Sequence, residues 1–466
     1  MNQKSTSAPI AENKMGTMPV GKLVLNMSLP MMISMLVQAL YNIVDSVFVA
    51  MLSENALTAV SMAFPLQTLL IAVGAGTGVG MNALLSKSLG EKDFKKADRT
   101  ASNAAFLYGL SYLVFLILGF TVVKPFYASQ VHNADPEILK FGIEYLSTVM
   151  IFSFGLLGQF FFERLLTSTG KTIFSMTSQL CGAITNIILD PIFIFGWFGL
   201  PAMGVKGAAI ATVGGQILSM FFAIYIIVRK EHAVQIHFKG FRFSGQIVKD
   251  IFAVGFPSII MQSISSVMIM VLNNILIVFS QAAVAVLGIY FKLQSFIFMP
   301  VFGLGHGSMP IMGYNFGARN KKRLVHTLKL SSTISLCIMI VGLLIFQFGA
   351  KYLLMMFNAS EEMMEIGISA LRTISLCFPA AALGISFSNF FQAIGEGKNS
   401  LLISVLRQLF ILLPAAWLIS RIGTLNQVWL AFPIAEVFAL IVSILLLKLT
   451  YKSKIHDVEY LAAEEE

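Results

Sequence analysis

Long apolar runs separated by short polar connections make up almost the whole chain. Most runs reach about 20 residues or more, the length an α-helix needs to cross roughly 30 Å of hydrocarbon. The pattern predicts spans over 23–52, 56–86, 101–123, 139–162, 172–195, 207–228, 250–279, 282–312, 328–350, 362–392, 400–420 and 427–447. Apolar residues run continuously within each instead of alternating, which argues against the strands of a membrane β-barrel. The expected fold class is therefore all-α and polytopic, with twelve transmembrane helices.

The pattern also repeats. A shift of 227 positions carries Pro30 onto Pro257 and Phe64, Leu66 and Gln67 onto Phe291, Leu293 and Gln294. Without a gap it then carries Gly76, Gly78, Gly80 and Gly90 onto Gly303, Gly305, Gly307 and Gly317, and Gly170 and Lys171 onto Gly397 and Lys398. Duplicated apolar chains are a common ground plan of secondary transporters. Six spans per copy make both copies enter the bilayer in the same direction, so the copies are expected to be related by an axis along the membrane normal. The expected organisation is a tail at 1–22, an N-lobe at 23–228, a linker at 229–249 that includes His232, His237 and Gly240, a C-lobe at 250–447 and a tail at 448–466.

Composition supports a lipid solvent. Hydrophobic residues are 57% and charged residues 12% of 466, and mean hydropathy is +0.81, whereas a soluble domain is about a quarter charged. Lys and Arg crowd into alternate connections: Lys87, Lys92, Lys95, Lys96 and Arg99; Arg229, Lys230, Lys239, Arg242 and Lys249; Arg319, Lys321, Lys322, Arg323 and Lys329. These loops and both termini are expected on the cytoplasmic side of the cell (inner) membrane. Topology thus accounts for the net charge of +9 and leaves no motive for nucleic-acid binding. Residues 1–22 are polar and lead into a span too long for a signal-peptide core, so no cleaved signal is expected. Cys181, Cys337 and Cys377 all fall in predicted spans and imply no disulfide framework.

Charges inside spans need a separate reason, since each costs about 2.5–3.5 kcal/mol at a helix centre. On the first span Gln38, Tyr41, Asn42 and Asp45 recur at steps of three and four and share one helical face. On the fifth, Asn186 and Asp190 stand one turn apart, with Pro191 following. Such carboxylates can exchange a proton or coordinate a hard cation such as Na⁺; the bland reading is that Asp190 caps a helix near the outer interface. At the repeat shift Asp45 becomes Leu272 and Asp190 becomes Trp417, so neither acid is duplicated. The second copy instead holds Lys292, His306, Arg372, Arg407 and Glu436. Lys292 either reaches a central cavity or snorkels to an interface. Arg407 and Glu436 suit a structural bridge, and His306, between glycines, suits packing. Pro30 and Pro257 lie inside the leading spans, where a lost amide donor and a ring clash favour a kink. Forty phenylalanines and 25 methionines suit a large adaptable pocket, although most such residues face lipid or fill the bundle.

Four stretches together resemble the multidrug and toxic compound extrusion (MATE) exporters: Gln38-x-x-Tyr41-Asn42-x-x-Asp45, Leu189-Asp190-Pro191-Ile192-Phe193, Gly204 to Thr212, and Pro310 to Ala318. The resemblance runs from about residue 20 to 450 and implies two six-helix lobes around a central cavity. It implies export of bulky, often cationic, organic compounds driven by H⁺ or Na⁺, with no other cofactor, by a monomer in the bilayer. In the DinF-like and MepA-like branch, the cation-coupling cluster falls on Asp45, Asn186, Asp190 and Thr212, which would also be the metal ligands if the ion is Na⁺. Gln38, Tyr41, Asn42 and Lys292 are then expected at the substrate cavity and Pro30 at the bending point of the first helix. A NorM-like cation site in the second lobe is not expected, because 250–279 carries no acid beyond Asp250 at its edge and Arg372 stands on the tenth span.

The alternative within the same superfamily is a flippase or exporter of lipid-linked or other metabolites. An enzyme is not expected: the chain has no His-Glu-x-x-His, no Gly-x-Ser-x-Gly and no Asp-rich diphosphate-binding pair. Direct use of ATP is not expected either, since the Gly-x-x-x-x-Gly-Lys-Ser/Thr loop is missing.

Overall fold

A computed structural model describes residues 13–130, 136–230, 234–236 and 241–456. Residues 1–12 and 457–466 of the tails expected at 1–22 and 448–466, and His232, His237 and Gly240 of the expected linker, lie outside the described residues.

Every regular element among the described residues is helical. A short helix α1 (Lys14–Thr17) leads into α2 (Val20–Ala50), α3 (Glu54–Met62), α4 (Phe64–Gly90), α5 (Phe94–Thr121), α6 (Val123–Gln130), α7 (Pro136–Ile151), α8 (Phe154–Ser168), α9 (Thr172–Phe195) and α10 (Val205–Arg229). The second half continues with α11 (Gly245–Leu276), α12 (Gln281–Gly317), α13 (Lys321–Met355), α14 (Glu361–Ser375), α15 (Phe378–Ala393), α16 (Gly397–Val405), α17 (Leu413–Ile422), α18 (Leu425–Val428) and α19 (Ala431–Thr450). Ten of these helical stretches are long and apolar enough to span a bilayer. Two further pairs qualify together, α7 with α8 and α14 with α15, bent by 43° and 48°. The count reaches the expected twelve once each bent pair is taken as one span.

The bends have local causes. Pro379 at the start of α15 has no amide to bond back across the break, and Ser153 and Gly155 flank the break before α8. α2, by contrast, is a continuous helix through buried Pro30. The eleventh span widens into a π-helix at Leu406–Leu412, between α16 and α17, just before Pro414, a wide turn that often accompanies function.

The two halves meet where α2 packs on α12, α4 on α11, and α4 crosses α12. The duplicated glycines make that contact. A Cβ on Gly80 would sit 2.1 Å from the Ile251 carbonyl oxygen, and one on Gly307 would sit 2.4 Å from Ser28 Cα. Towards the basic loops, Gly90 faces the Tyr314 carbonyl at 1.9 Å and Gly317 faces the Lys87 carbonyl at 2.1 Å, measured from the same hypothetical Cβ. At the repeat shift these last two contacts are images of each other. The start of the chain reinforces the same face: Arg323 Nη2 donates to the carbonyls of Met15 (3.1 Å) and Met18 (2.6 Å), and Asn315 Nδ2 donates to Met15 (3.2 Å).

Gly80→Ala should therefore push two backbones apart, with no flexible side chain to give way, and destabilise the protein by about 1–3 kcal/mol. Gly109→Ala on α5, where a Cβ meets nothing within 4 Å, should leave stability unchanged or raise it slightly. Thermal unfolding of the purified variants checks the contrast, and equal melting temperatures would contradict the contact.

Candidate functional site

Close approach of α9 and α10 builds the first half's polar cluster. Gly182 and Gly215 face each other across these helices, each placing a hypothetical Cβ under 3 Å from the other's carbonyl oxygen. The contact carries Asn186 to Thr212. Asn186 Nδ2 donates to Thr212 Oγ1 at 3.3 Å and to Asp190 Oδ1 at 3.5 Å. Asp190 is fully buried five residues before the end of α9, and Gly196, in the left-handed region at φ 76°, closes that helix. Asp190 is thus inside the helix and not its cap. α2 packs on α9 and brings Asp45 within electrostatic reach of Asp190. Asp45 Oδ1, Asn186 Oδ1 and Asp190 Oδ2 are all buried without a hydrogen-bond partner. In a bilayer such acceptors stay costly until a proton or cation meets them.

A cavity of about 70 Å³ lies beside the cluster, lined by Gln38 and Tyr41 of α2, Asn186 of α9 and Thr212 of α10. Asn42 is exposed and does not line this cavity. Glu163 and Arg164 of α8 also line this cavity, two residues the sequence pattern leaves just beyond its fourth span. The span runs on to Ser168, so both charges are inside the bundle, 3% and 6% exposed. Glu163 accepts from Gln179 Nε2 at 2.7 Å, Gln159 Nε2 at 2.9 Å and Ser219 Oγ at 3.3 Å. The signal for the pair was present: Gln159 stands one turn before Glu163, as Asn186 does before Asp190.

The second half holds a larger cavity of about 370 Å³, lined by Tyr290, Phe291, Phe298, Phe302 and Phe432 with Met268 and Met299. Arg407 Nη1 and Glu436 Oε1 pair there at 3.0 Å, so the bridge between neighbouring spans also forms part of a cavity wall. The π-turn presents Arg407 and its neighbour Gln408 to the same space. Lys292 is exposed on α12 and lines neither cavity. Arg372 is exposed too, its Nε donating to the Gln347 carbonyl at 3.0 Å and so tying α14 to α13. Cys181, Cys337 and Cys377 are free thiols.

The cluster's donor set is two carboxylates, an amide and a hydroxyl, all oxygen where they face a cation. That set suits a proton or a hard monovalent ion. Among the described residues no group of three or more acidic, His or Cys side chains is placed to hold a metal ion.

Comparison with known proteins gives the same architecture. The chain is 26% identical over 433 residues to a multidrug export protein MepA of Staphylococcus aureus, covering 92% of this chain and 94% of that one. It is 28% identical over 426 residues to the MepA of Staphylococcus haemolyticus, covering 89% and 90%. Among solved structures it matches an outward-facing multidrug resistance MATE family transporter of the MOP superfamily with a TM-score of 0.90 and 27% identity, covering 96% and 99%. It also matches a MATE structure described as straight (TM-score 0.89, 28% identity, 95% and 99% covered) and one described as bent (0.86, 28%, 93% and 96%). The family model MatE fits twice, over residues 30–192 and 257–418, each copy beginning at one of the duplicated prolines. Fitted by one family unit in both halves, this chain belongs to the MatE family.

Proposed function

We propose that the protein exports bulky, often cationic, organic compounds across the cytoplasmic membrane in exchange for H⁺ or Na⁺. The observation that carries this reading is the group of three buried, unpartnered oxygens on Asp45, Asn186 and Asp190, held on two helices next to a cavity. Binding a cation there neutralises paired carboxylates that otherwise repel. That gain differs between conformations whenever the α2–α9 distance differs, which is what coupling requires. The multidrug export named for the relatives from staphylococci supports the substrate side. In this reading the halves at 23–228 and 250–447 are the two lobes, the basic loops and both termini face the cytoplasm, and the glycine contact seals that face.

Pro30 is the proposed hinge. It lies in the stretch of α2 whose neighbours Met31 and Met32 touch Gly303, so a bend there alters both the lobe contact and the position of Asp45. Solved relatives in straight and bent conformations support two accessible states.

Asp45→Asn should insert and fold normally but lose at least about nine-tenths of coupled efflux, because an amide keeps the shape and cannot take a proton or supply a full charge. Dye efflux from energised vesicles, with proton and sodium gradients imposed separately, identifies the ion and tests the variant; wild-type efflux from it would overturn the assignment. Asp45 and Asp190 should act as one unit, so the double variant should lose little more than either single one, a coupling above about 0.5 kcal/mol in a double-mutant cycle. Additive losses would separate them. Pro30→Ala restores an amide donor and should favour the straight helix, lowering transport while drug binding persists, since Pro30 and Asp45 are about 22 Å apart along the helix. Unchanged transport, or equal loss of binding, would move the coupling to rigid-body rocking of the lobes.

A further inference from the structure

We propose that Arg164 receives an acidic group of the exported compound, so that the first half's cavity selects molecules with a carboxylate in addition to any positive charge. The inference rests on the export reading above. A guanidinium buried within a transmembrane bundle is normally matched by a carboxylate or by carbonyls. Arg164 is 6% exposed and lines the cavity, and its guanidinium has no hydrogen bond or ion pair among the described residues, with Nη1 buried and unpartnered.

Its neighbours do not meet that need. Glu163 is adjacent and lends Arg164 its charge through space, but its oxygens accept from Gln159, Gln179 and Ser219 and make no direct ion pair with the guanidinium. Tyr108 is near and commits its hydroxyl proton to the Gly74 carbonyl at 2.7 Å. His306 is the other titratable group facing Arg164, and it offers no negative charge. Elsewhere on the wall Gln38 and Tyr41 offer an amide and a hydroxyl donor, which suit a carboxylate's lone pairs. About 70 Å³ admits the acidic end of a larger molecule and not its body. Arg is the side chain whose planar fork fits such a group with two parallel bonds.

A matched pair of dyes tests this: a rhodamine with a free carboxylate, and its methyl ester, which keeps the aromatic body and positive charge but lacks the anion. Fluorescence polarisation with the full chain in nanodiscs should show the acid binding at least about tenfold more tightly than the ester. Arg164→Gln should abolish that preference by weakening the acid while leaving the ester within about twofold, and Arg164→Lys should keep part of it. Equal affinities in the unaltered protein, or an Arg164→Gln that weakens both dyes alike, would overturn the proposal. The first comparison needs no variant, so misfolding cannot hide the outcome. Efflux is read separately: binding of the acid without export of either dye keeps this inference and removes the export reading. Export of both dyes with equal affinity does the reverse.

Discussion

Close contact between backbones of the two halves is the constraint on which the remaining structure depends. Lipid tails are as apolar as leucine, so helices in a bilayer gain little from hiding hydrophobic surface and associate through packing at short range. Here that packing is possible because α4 and α12 each present glycines where the opposite half presents carbonyl groups. The contact lies at the face bearing the basic loops, where Met15 and Met18 of the chain's start are also bonded to Arg323. Both halves can then diverge elsewhere without losing their attachment. A single strip of small residues thus supplies adhesion over a narrow contact, which a broad interlocked surface of large side chains would not.

Against that scaffold, satisfied and unsatisfied polar groups mark different duties. Ser178 and Ser219 bond each other across α9 and α10 at 3.0 Å, and Glu163 is held by three donors. These groups cost little to bury and stiffen the bundle. Asp45, Asn186, Asp190 and Arg164 each keep a buried atom without a partner. A bundle free to evolve could replace such side chains with alanine or leucine at a gain in stability. Their presence is an energetic cost, which in the proposed reading binding of a mobile ion or a solute offsets.

The spans were legible because hydrocarbon thickness imposes a length that few soluble patterns imitate, and the duplication because glycine cannot be exchanged where backbones touch. Spacing on helices made Asp45 legible as a charge on the polar face of the first span and Asn186 with Asp190 as a pair on the fifth; their assembly with Thr212 into one cluster came from the family resemblance. Glu163 and Arg164 were not, because a pair of charges at the end of an apolar run reads as the start of a loop, and only the 43° bend before α8 brings the run back through buried surroundings. The π-turn that aims Arg407 and Gln408 at one cavity was equally hidden, since a proline such as Pro414 predicts disruption but not which residues it redirects. Lys292 was legible only as an isolated charge, and α12 turns it to an exposed face, which both an open central cavity and snorkelling to an interface would give.

The repeat separates what the fold needs from what the chemistry needs. At a shift of 227 positions the glycines and the leading prolines persist, whereas Asp45, Glu163, Arg164 and Asp190 become Leu272, Phe390, Phe391 and Trp417. In the other direction Arg407 and Glu436 correspond to Leu180 and Ala209. Each half therefore carries its own charges on a shared frame. In the second half Arg407 and Glu436 pair at 3.0 Å beside an aromatic cavity, although Glu436 keeps one buried oxygen without a partner, while in the first half Asp45, Asp190 and Arg164 make no ion pair and each keep a buried atom without a partner. Two identical ion sites would bind independently and move both lobes alike. In the export reading proposed above, an ion that binds at Asp45 and Asp190 acts on one lobe alone, and relative motion of the two lobes about the glycine contact would follow from binding at a single place.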